Sequence, residues 1–157
     1  MKQSVYLETT IISYLAANLS RDIVVAAHQQ ITQEWWENVS PKLACFVSPF
    51  VVQESLRGDA EAAKRRIKLL SGISVLEIND EIEKLAGIYF DKLKIPSKAQ
   101  LDTAHLAVAC WHKMDYLVSW NCKHIVSARV RKDLEKLNNE LELFTPTICT
   151  PEELMEI

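Results

Sequence analysis

Glycine is scarce in this sequence: only three of its 157 residues are glycine, at positions 58, 72 and 87. Phosphate-binding loops of the Walker type and the G-x-G-x-x-G turn of dinucleotide-binding folds both need closely spaced glycines, because backbone N–H groups must approach the phosphates. The G-x-S-x-G elbow of α/β-hydrolases is also absent. The sequence therefore excludes these nucleotide-binding and hydrolase classes.

Long apolar runs and paired cysteines are missing as well. The longest uninterrupted apolar stretch, 106–111, is far shorter than the ~20 residues that span a bilayer. In a secretory signal, basic residues are followed by an apolar run and then by small residues, and the first residues of this chain do not show that order. The four cysteines (Cys45, Cys110, Cys122, Cys149) lack C-x-x-C spacing, which indicates reduced, mostly buried thiols. We therefore expect a cytoplasmic protein that does not associate with membranes.

The composition is that of a single folded domain. Hydrophobic residues make up 48% and charged residues 25% of the chain, which are ordinary values for globular proteins. The net charge of −3 does not favour nucleic-acid binding. Basic residues are nevertheless bunched at 64–68 and 123–136, where solvated helix faces are the more frequent interpretation and phosphate contact the rarer one.

Short strand-like runs alternate with helical patterns along the chain. Strands are predicted at 4–7, 43–47, 74–78, 116–119 and 147–149. Helices are predicted at 11–19, 22–39, 50–56, 59–70, 80–94, 99–113 and 122–138, with a last helical turn near 151–154. Ser48 before Pro49 marks a helix start, and Ser97 with Gln100 forms a capping-box pattern. The alternation predicts an α/β domain with a mainly parallel sheet of four to five strands between helices.

Three acids lie just after a predicted strand or within the helix that follows: Glu8, Glu54 and Asp102. Ligands of such sheets bind beyond the carboxyl ends of the strands, so these acids are candidate functional residues. Each also has a structural interpretation. Glu8 could cap the next helix with help from Thr9 or Thr10, Glu54 could be an exposed helix position, and an acid at Asp102 suits a helix N-terminus.

Four segments in a fixed order carry a family resemblance. A strand ends in an acid followed by threonine at 6–10 (YLETT), and a short helix carries a second acid at 48–54 (SPFVVQE). An apolar helix carries acid-x-x-His at 101–107 (LDTAHLA), and a strand ends in Trp-Asn at 117–124 (LVSWNCKH). In this order the chain resembles the PIN-domain family, and more closely the VapC-like toxins of bacterial and archaeal toxin–antitoxin pairs.

The resemblance implies a PIN-like three-layer α/β/α fold and RNA hydrolysis dependent on Mg²⁺ or Mn²⁺. It implies that Glu8, Glu54 and Asp102 are the metal ligands, in keeping with the preference of hard cations for oxygen. Asn121 falls where many relatives carry a fourth catalytic acid. Glu8 is longer than the usual Asp, and Asn121 carries no charge. These two departures favour the alternative, a catalytically weakened PIN-like module that binds RNA or protein.

The resemblance also implies supporting residues and partners. Thr9 or Thr10 would support the first acid, and His124 would either contact a phosphate or be a surface histidine. The partners would be an RNA substrate, an inhibitory antitoxin protein and a second copy of the chain. Trp35 and Trp36 are adjacent on a predicted helix, so one of them could mark an interface, although deep burial of both is the more frequent arrangement.

Two other chemistries fit poorly. His105 and His112 are seven residues apart on one predicted helix, about 10 Å along its axis, so they cannot share one Zn²⁺. A phosphatase of another α/β type would need a D-x-D pair after the first strand, where Glu8 is the only acid.

Overall fold

Five strands form one parallel sheet in the computed structural model, which describes residues 1–157. The strands are β1 (Ser4–Leu7), β2 (Ala44–Val47), β3 (Ser74–Val75), β4 (Tyr116–Val118) and β5 (Thr147–Cys149). Their order in the sheet is β3-β2-β1-β4-β5. In the centre, Tyr6 pairs with Phe46 on one side and with Leu117 on the other.

Seven helices cover the two faces of this sheet. They are α1 (Thr9–Ala16), α2 (Ile23–Asn38), α3 (Pro49–Ser55), α4 (Ala60–Leu70), α5 (Asp80–Lys92), α6 (Gln100–Trp111) and α7 (Ala128–Leu141). Because β–α–β crossovers are right-handed, the connections from β1 to β3 place α1–α4 on one face, and the returning connections place α5–α7 on the other. This three-layer α/β/α arrangement confirms the predicted fold class. None of the helices has both the length and the apolar character needed to cross a bilayer.

Strand β1 and helix α6 both contribute fully buried residues to the core. Val5, Tyr6 and Leu7 are fully buried, as expected for a central strand covered on both faces. Helix α6 has eight consecutive buried residues, 103–110, so its polar members need partners inside the protein. Trp35 is fully buried, whereas Trp36 is half-buried and packs against the core. Deep burial is therefore correct for only one of the two tryptophans.

Several predicted boundaries are wrong for local reasons. The capping box does not form, because 97–99 is a 3-10 turn and α6 begins at Gln100 without a side-chain cap. The helix start predicted at Ser48-Pro49 is correct, although the Ser48 hydroxyl makes no capping hydrogen bond and contacts Tyr6 instead. Helix α7 begins at Ala128, capped by Ser127, because residues 121–126 form a turn. Edge strand β3 has two residues rather than five.

Candidate carboxylate site

The candidate site lies where β1 and β4 meet at their carboxyl ends. The chain leaves β1 toward β2 on one side, and leaves β4 toward β5 on the other. This reversal is a topological switch point, the usual ligand crevice of open α/β sheets. The backbone N–H of Glu8 donates to the carbonyl of Val118 at 3.1 Å, so the pairing continues past the end of β1 and places Glu8 at the crevice.

Glu8 is held through one of its two carboxylate oxygens. The side chain caps α1, and its Oε1 accepts hydrogen bonds from the Thr10 backbone N–H at 3.2 Å and the Thr10 hydroxyl at 2.6 Å. The Ser119 hydroxyl donates a third bond to the same oxygen at 2.6 Å. Oε2 forms no hydrogen bond, although the residue is only 3% exposed. Glu8 therefore has the predicted capping role and also presents a second oxygen.

Glu54 is arranged in the same way on α3. Its Oε1 accepts from the Thr9 hydroxyl at 2.6 Å and from His105 Nε2 at 2.6 Å, and its Oε2 forms no hydrogen bond. The side chain is 24% exposed, so Glu54 is not the exposed helix position considered above. Burial alone would raise the pKa of Glu54, but the hydrogen bonds from His105 and Thr9 and the charges of His105 and Arg57 lower it.

His105 lies fully buried between Glu54 and Tyr6. The carboxylate of Glu54 can only accept, so Nε2 carries a proton. Nδ1 lies 2.7 Å from the Tyr6 hydroxyl, which in turn lies 2.7 Å from the hydroxyl of Ser48. Burial alone would lower the pKa of His105, but the hydrogen bond with Glu54 and the charges of Glu8, Glu54 and Asp102 raise it. Both ring nitrogens are occupied, so His105 orients Glu54 rather than offering a ligand.

Glu8, Glu54 and His105 form one compact group. One potential ligand atom from each lies within 4.8 Å of the other two. No lysine or arginine forms an ion pair with either glutamate, and the one ion pair at the site joins Glu54 to His105. The site therefore carries excess negative charge, with one carboxylate oxygen of each glutamate unbonded. Oxygen donors with uncompensated charge fit a hard divalent cation such as Mg²⁺ or Mn²⁺.

Asp102 and Asn121 lie beside this group rather than within it. Asp102 stands one turn before His105 on α6, and its Oδ2 contacts Nδ1 of His124 at 3.1 Å. Asn121 Oδ1 accepts from the backbone N–H of His124 at 3.1 Å, and so shapes the turn after β4. The His124 side chain is 19% exposed, which is lower than expected for a surface histidine. Asp102 as a metal ligand and Asn121 as a catalytic residue stay predictions.

Two residues that hold the acids were not predicted as site residues. Ser119 follows β4 as Glu8 follows β1, and its hydroxyl also accepts from the Asn121 backbone N–H. That strand-end position was its only signal in the sequence. His105 was signalled by its place three residues after Asp102, since such residues share one face of a helix.

Some residues of the two basic clusters have structural roles. Arg65 donates to a carbonyl in the last turn of α1, and Arg66 donates to a carbonyl in the last turn of α3, where cations suit the helix dipole. Arg129 and Arg131 pair with nearby acids. These contacts favour the interpretation of the clusters as helix faces.

Sequence comparison and structural comparison give different results. No protein-family model and no curated protein matches the chain. Similar folds occur among solved structures of VapBC2 from Rickettsia felis bound to a DNA fragment from its promoter (14% identity, TM-score 0.60, covering 94% of this chain and 98% of that chain), and of VapBC-1 from nontypeable Haemophilus influenzae (19%, 0.58, 96% and 99%).

A third similar structure is VapC20 from Mycobacterium tuberculosis, described as a Sarcin-Ricin loop cleaving toxin (15% identity, TM-score 0.60, covering 76% of this chain and 91% of that chain). At these identities the likeness shows the fold. The chain therefore has a PIN-like α/β/α fold, and this fold is similar to that of the VapC structures.

Proposed function

We propose that this chain is a Mg²⁺- or Mn²⁺-dependent endoribonuclease that acts as the toxin of a toxin–antitoxin pair in the cytoplasm. The observation that carries the proposal is the pair of glutamates at the switch point. Glu8 and Glu54 each have one oxygen held by the protein and one that makes no hydrogen bond. The likeness to VapC20, a toxin described as cleaving the Sarcin-Ricin loop, supports RNA as the substrate.

The residues around the glutamates prepare them to hold a cation. Thr10 and Ser119 fix Glu8, whereas Thr9 and His105 fix Glu54. A divalent cation bound by these acids would activate water and stabilise the leaving oxygen of a phosphodiester. Asp102 would complete the ligand set from α6. Asn121 would act through the turn after β4, which it shapes, rather than as a charged ligand.

The partners follow from the same comparison. Two of the similar structures are VapBC assemblies, which supports an antitoxin protein as the inhibitory partner of this chain. A homodimer is the second expected association. Several apolar side chains on the surface are available for such contacts, among them Leu19, Ile23 and Val24, which are 76%, 86% and 62% exposed.

Metal-dependent cleavage tests the proposal directly. Purified protein would be incubated with labelled structured RNAs, with and without Mn²⁺ or Mg²⁺, beside Glu54→Gln and Asp102→Asn. Cleavage should require the metal and be lost in both variants. Glu140→Gln, which changes an exposed glutamate on α7, should cleave normally. Cleavage that persists in Glu54→Gln or without a divalent ion would overturn the assignment of the site.

A non-catalytic binding module is the second candidate. The observation that favours it is the Asn121 side chain, whose oxygen is bonded to the His124 N–H and adds no charge to the acid group. If the chain is such a module, it should bind RNA without metal and should cleave none of the RNAs tested. Comparing binding and cleavage on the same RNA separates the two.

A further inference from the structure

Three aromatic rings form a row that begins beside the carboxylate site. The backbone N–H of Trp120 donates to the Thr10 hydroxyl at 2.9 Å, the same hydroxyl that donates to Glu8. The His28 ring stacks on the Trp120 indole, with ring centroids 4.0 Å apart and planes 10° apart. The Tyr14 ring follows, with its centroid 6.5 Å from that of His28 and an angle of 31° between the planes.

Helix α1 places Tyr14 at the border of the site. Tyr14 comes four residues after Thr10, and side chains at this spacing are neighbours on one helix face. The pKa of the Tyr14 phenol is raised by burial, and further by the charges of Cys122, Glu8 and Asp22. The influence of Glu8 on this phenol agrees with the helical spacing. The aromatic row therefore extends from the acids toward the surface.

The inner ring of this row is buried, whereas the other two rings are partly exposed. Trp120 is 8% exposed, and its Nε1 donates to the Thr32 hydroxyl at 2.7 Å. Tyr14 and His28 are each half-buried. The structure contains no hydrogen bond from the Tyr14 hydroxyl or from either ring nitrogen of His28. These polar atoms are thus free to contact a ligand that stacks on the rings.

A nucleobase is the ligand that this row suits. Proteins that bind single-stranded nucleic acid hold bases on aromatic rings. Here the net charge is −3, and Arg65 and Arg66 are hydrogen-bonded to helix-end carbonyls. Attraction of RNA phosphates therefore supplies less of the affinity for RNA than it does in strongly basic proteins. Base contacts beside the acids would compensate for this and would place a particular nucleotide next to the reacting bond.

We propose that Tyr14 and His28, supported by Trp120, form a stacking platform for a base of single-stranded RNA adjacent to the phosphodiester that is cleaved. The position relative to cleavage rests on the proposed function. The platform itself rests on the ring geometry and makes a separate claim about RNA binding. Tyr14 and His28 are positioning residues for the substrate, since neither belongs to the acid group.

Binding to RNA with and without bases tests the platform. The background is the Glu54→Gln variant, which keeps the RNA intact during the measurement. A short fluorescent single-stranded RNA is compared with an RNA of equal length whose central positions are abasic. Tyr14→Ala and His28→Ala should each weaken binding of the complete RNA by about 10-fold, the loss expected for one stacked base. Binding of the abasic RNA should change less than twofold.

Two further variants act as controls. Tyr14→Phe keeps the ring and should retain most of the affinity. Trp111→Ala removes an aromatic ring that is 38% exposed at the far end of α6, about 13 Å along the helix from Asp102, and should bind like the parent. Thermal melts identify any variant that is not folded, in which case Tyr14→Leu and His28→Leu replace the alanine variants.

The outcomes separate this inference from the proposed function. Equal affinity of the parent and Tyr14→Ala for complete RNA overturns the platform, even when the wild-type protein cleaves RNA with Mn²⁺. An equal loss on complete and abasic RNA also overturns it. A base-dependent loss in Tyr14→Ala, with no metal-dependent cleavage by the wild type, supports the platform and contradicts the nuclease proposal.

Discussion

The Ser119 hydroxyl donates a 2.6 Å hydrogen bond to Glu8 Oε1 across the junction of β4 and β1. The two residues are 111 positions apart in the chain, and both are buried. The same hydroxyl accepts from the Asn121 N–H. Ser119 thus joins the first acid to the turn that carries Asn121 and His124, so the geometry of the site depends on a residue without ionisable chemistry.

Removal of this hydroxyl should impair the site more than the fold. Ser119→Ala loses one of three hydrogen bonds to the Glu8 carboxylate, and a bond to a charged acceptor contributes about 2 kcal/mol. We expect the Mn²⁺ concentration for half-maximal cleavage to rise by roughly 30-fold, since 1.4 kcal/mol corresponds to a factor of ten. Metal titrations of RNA cleavage measure this. Ser74→Ala, at an exposed position of β3, should match the wild type, and an unchanged titration for Ser119→Ala would contradict the assigned role.

The Tyr6 hydroxyl should contribute measurably to stability. It lies between Ser48 and His105, and all three residues are fully buried. Tyr6→Phe leaves the Ser48 hydroxyl and the Nδ1 atom of His105 without a hydrogen-bond partner, so the free energy of unfolding should fall by about 1–3 kcal/mol. Urea unfolding followed by circular dichroism measures the change. Tyr116→Phe removes a hydroxyl with only a 3.4 Å contact at the surface, and a similar loss in both variants would show that the network adds nothing.

Divalent cations should raise the melting temperature through the glutamate pair. A ligand that binds only the folded state at about 100 times its dissociation constant adds about 2.7 kcal/mol, which corresponds to a rise in Tm of roughly 5–10 °C. Differential scanning calorimetry with added Mn²⁺ should show this rise, and a chelator should reverse it. Glu54→Gln should lose most of the rise, whereas Glu140→Gln should keep it. An equal rise in both variants would locate the cation elsewhere.

One thiol should react much faster than the other three. Burial raises the pKa of Cys45 to about 11 and that of Cys149 to about 12, and it also raises the pKa of Cys110. These thiols stay protonated and unreactive near neutral pH, because the thiolate is the nucleophile. Cys122 is exposed. Iodoacetamide should label one cysteine per native chain by mass spectrometry, and Cys122→Ser should abolish that fast phase; several equally fast sites would refute the burial pattern.

The sequence predicted the elements well where local pattern and tertiary environment agree. The bounds of β1 and β5 match the prediction residue for residue, because each is a short apolar run ended by a turn or helix start. Strand β3 is shorter than predicted, since it lies at the sheet edge and pairs only with β2. Helical patterning predicted a helix from about residue 122, but the Asn121 backbone carbonyl accepts from the N–H groups of Ile125 and Val126 and closes a turn there.

The acids of the site were easier to predict than the groups that hold them. Glu8 follows a strand and Glu54 lies in the helix after the next strand, and the rule for parallel sheets brings such positions to one edge. The contact between Tyr6 and His105 spans 99 residues and that between Tyr6 and Ser48 spans 42. Such contacts depend on how β1 lies against α6 and against the end of β2, which local patterns do not specify.

The division of each glutamate into a bonded and an unbonded oxygen has a consequence for ion selectivity. Ordering a free glutamate side chain costs about 1.5–2 kcal/mol of conformational entropy. In Glu8 and Glu54 the threonine, serine and histidine contacts impose that order when the chain folds, so ion uptake does not repeat the cost. Two immobile oxygens cannot adjust to ions of every radius. Discrimination between Mg²⁺, Mn²⁺ and the larger Ca²⁺ should therefore depend on the fixed distance between the two oxygens and on how readily each ion loses its bound water.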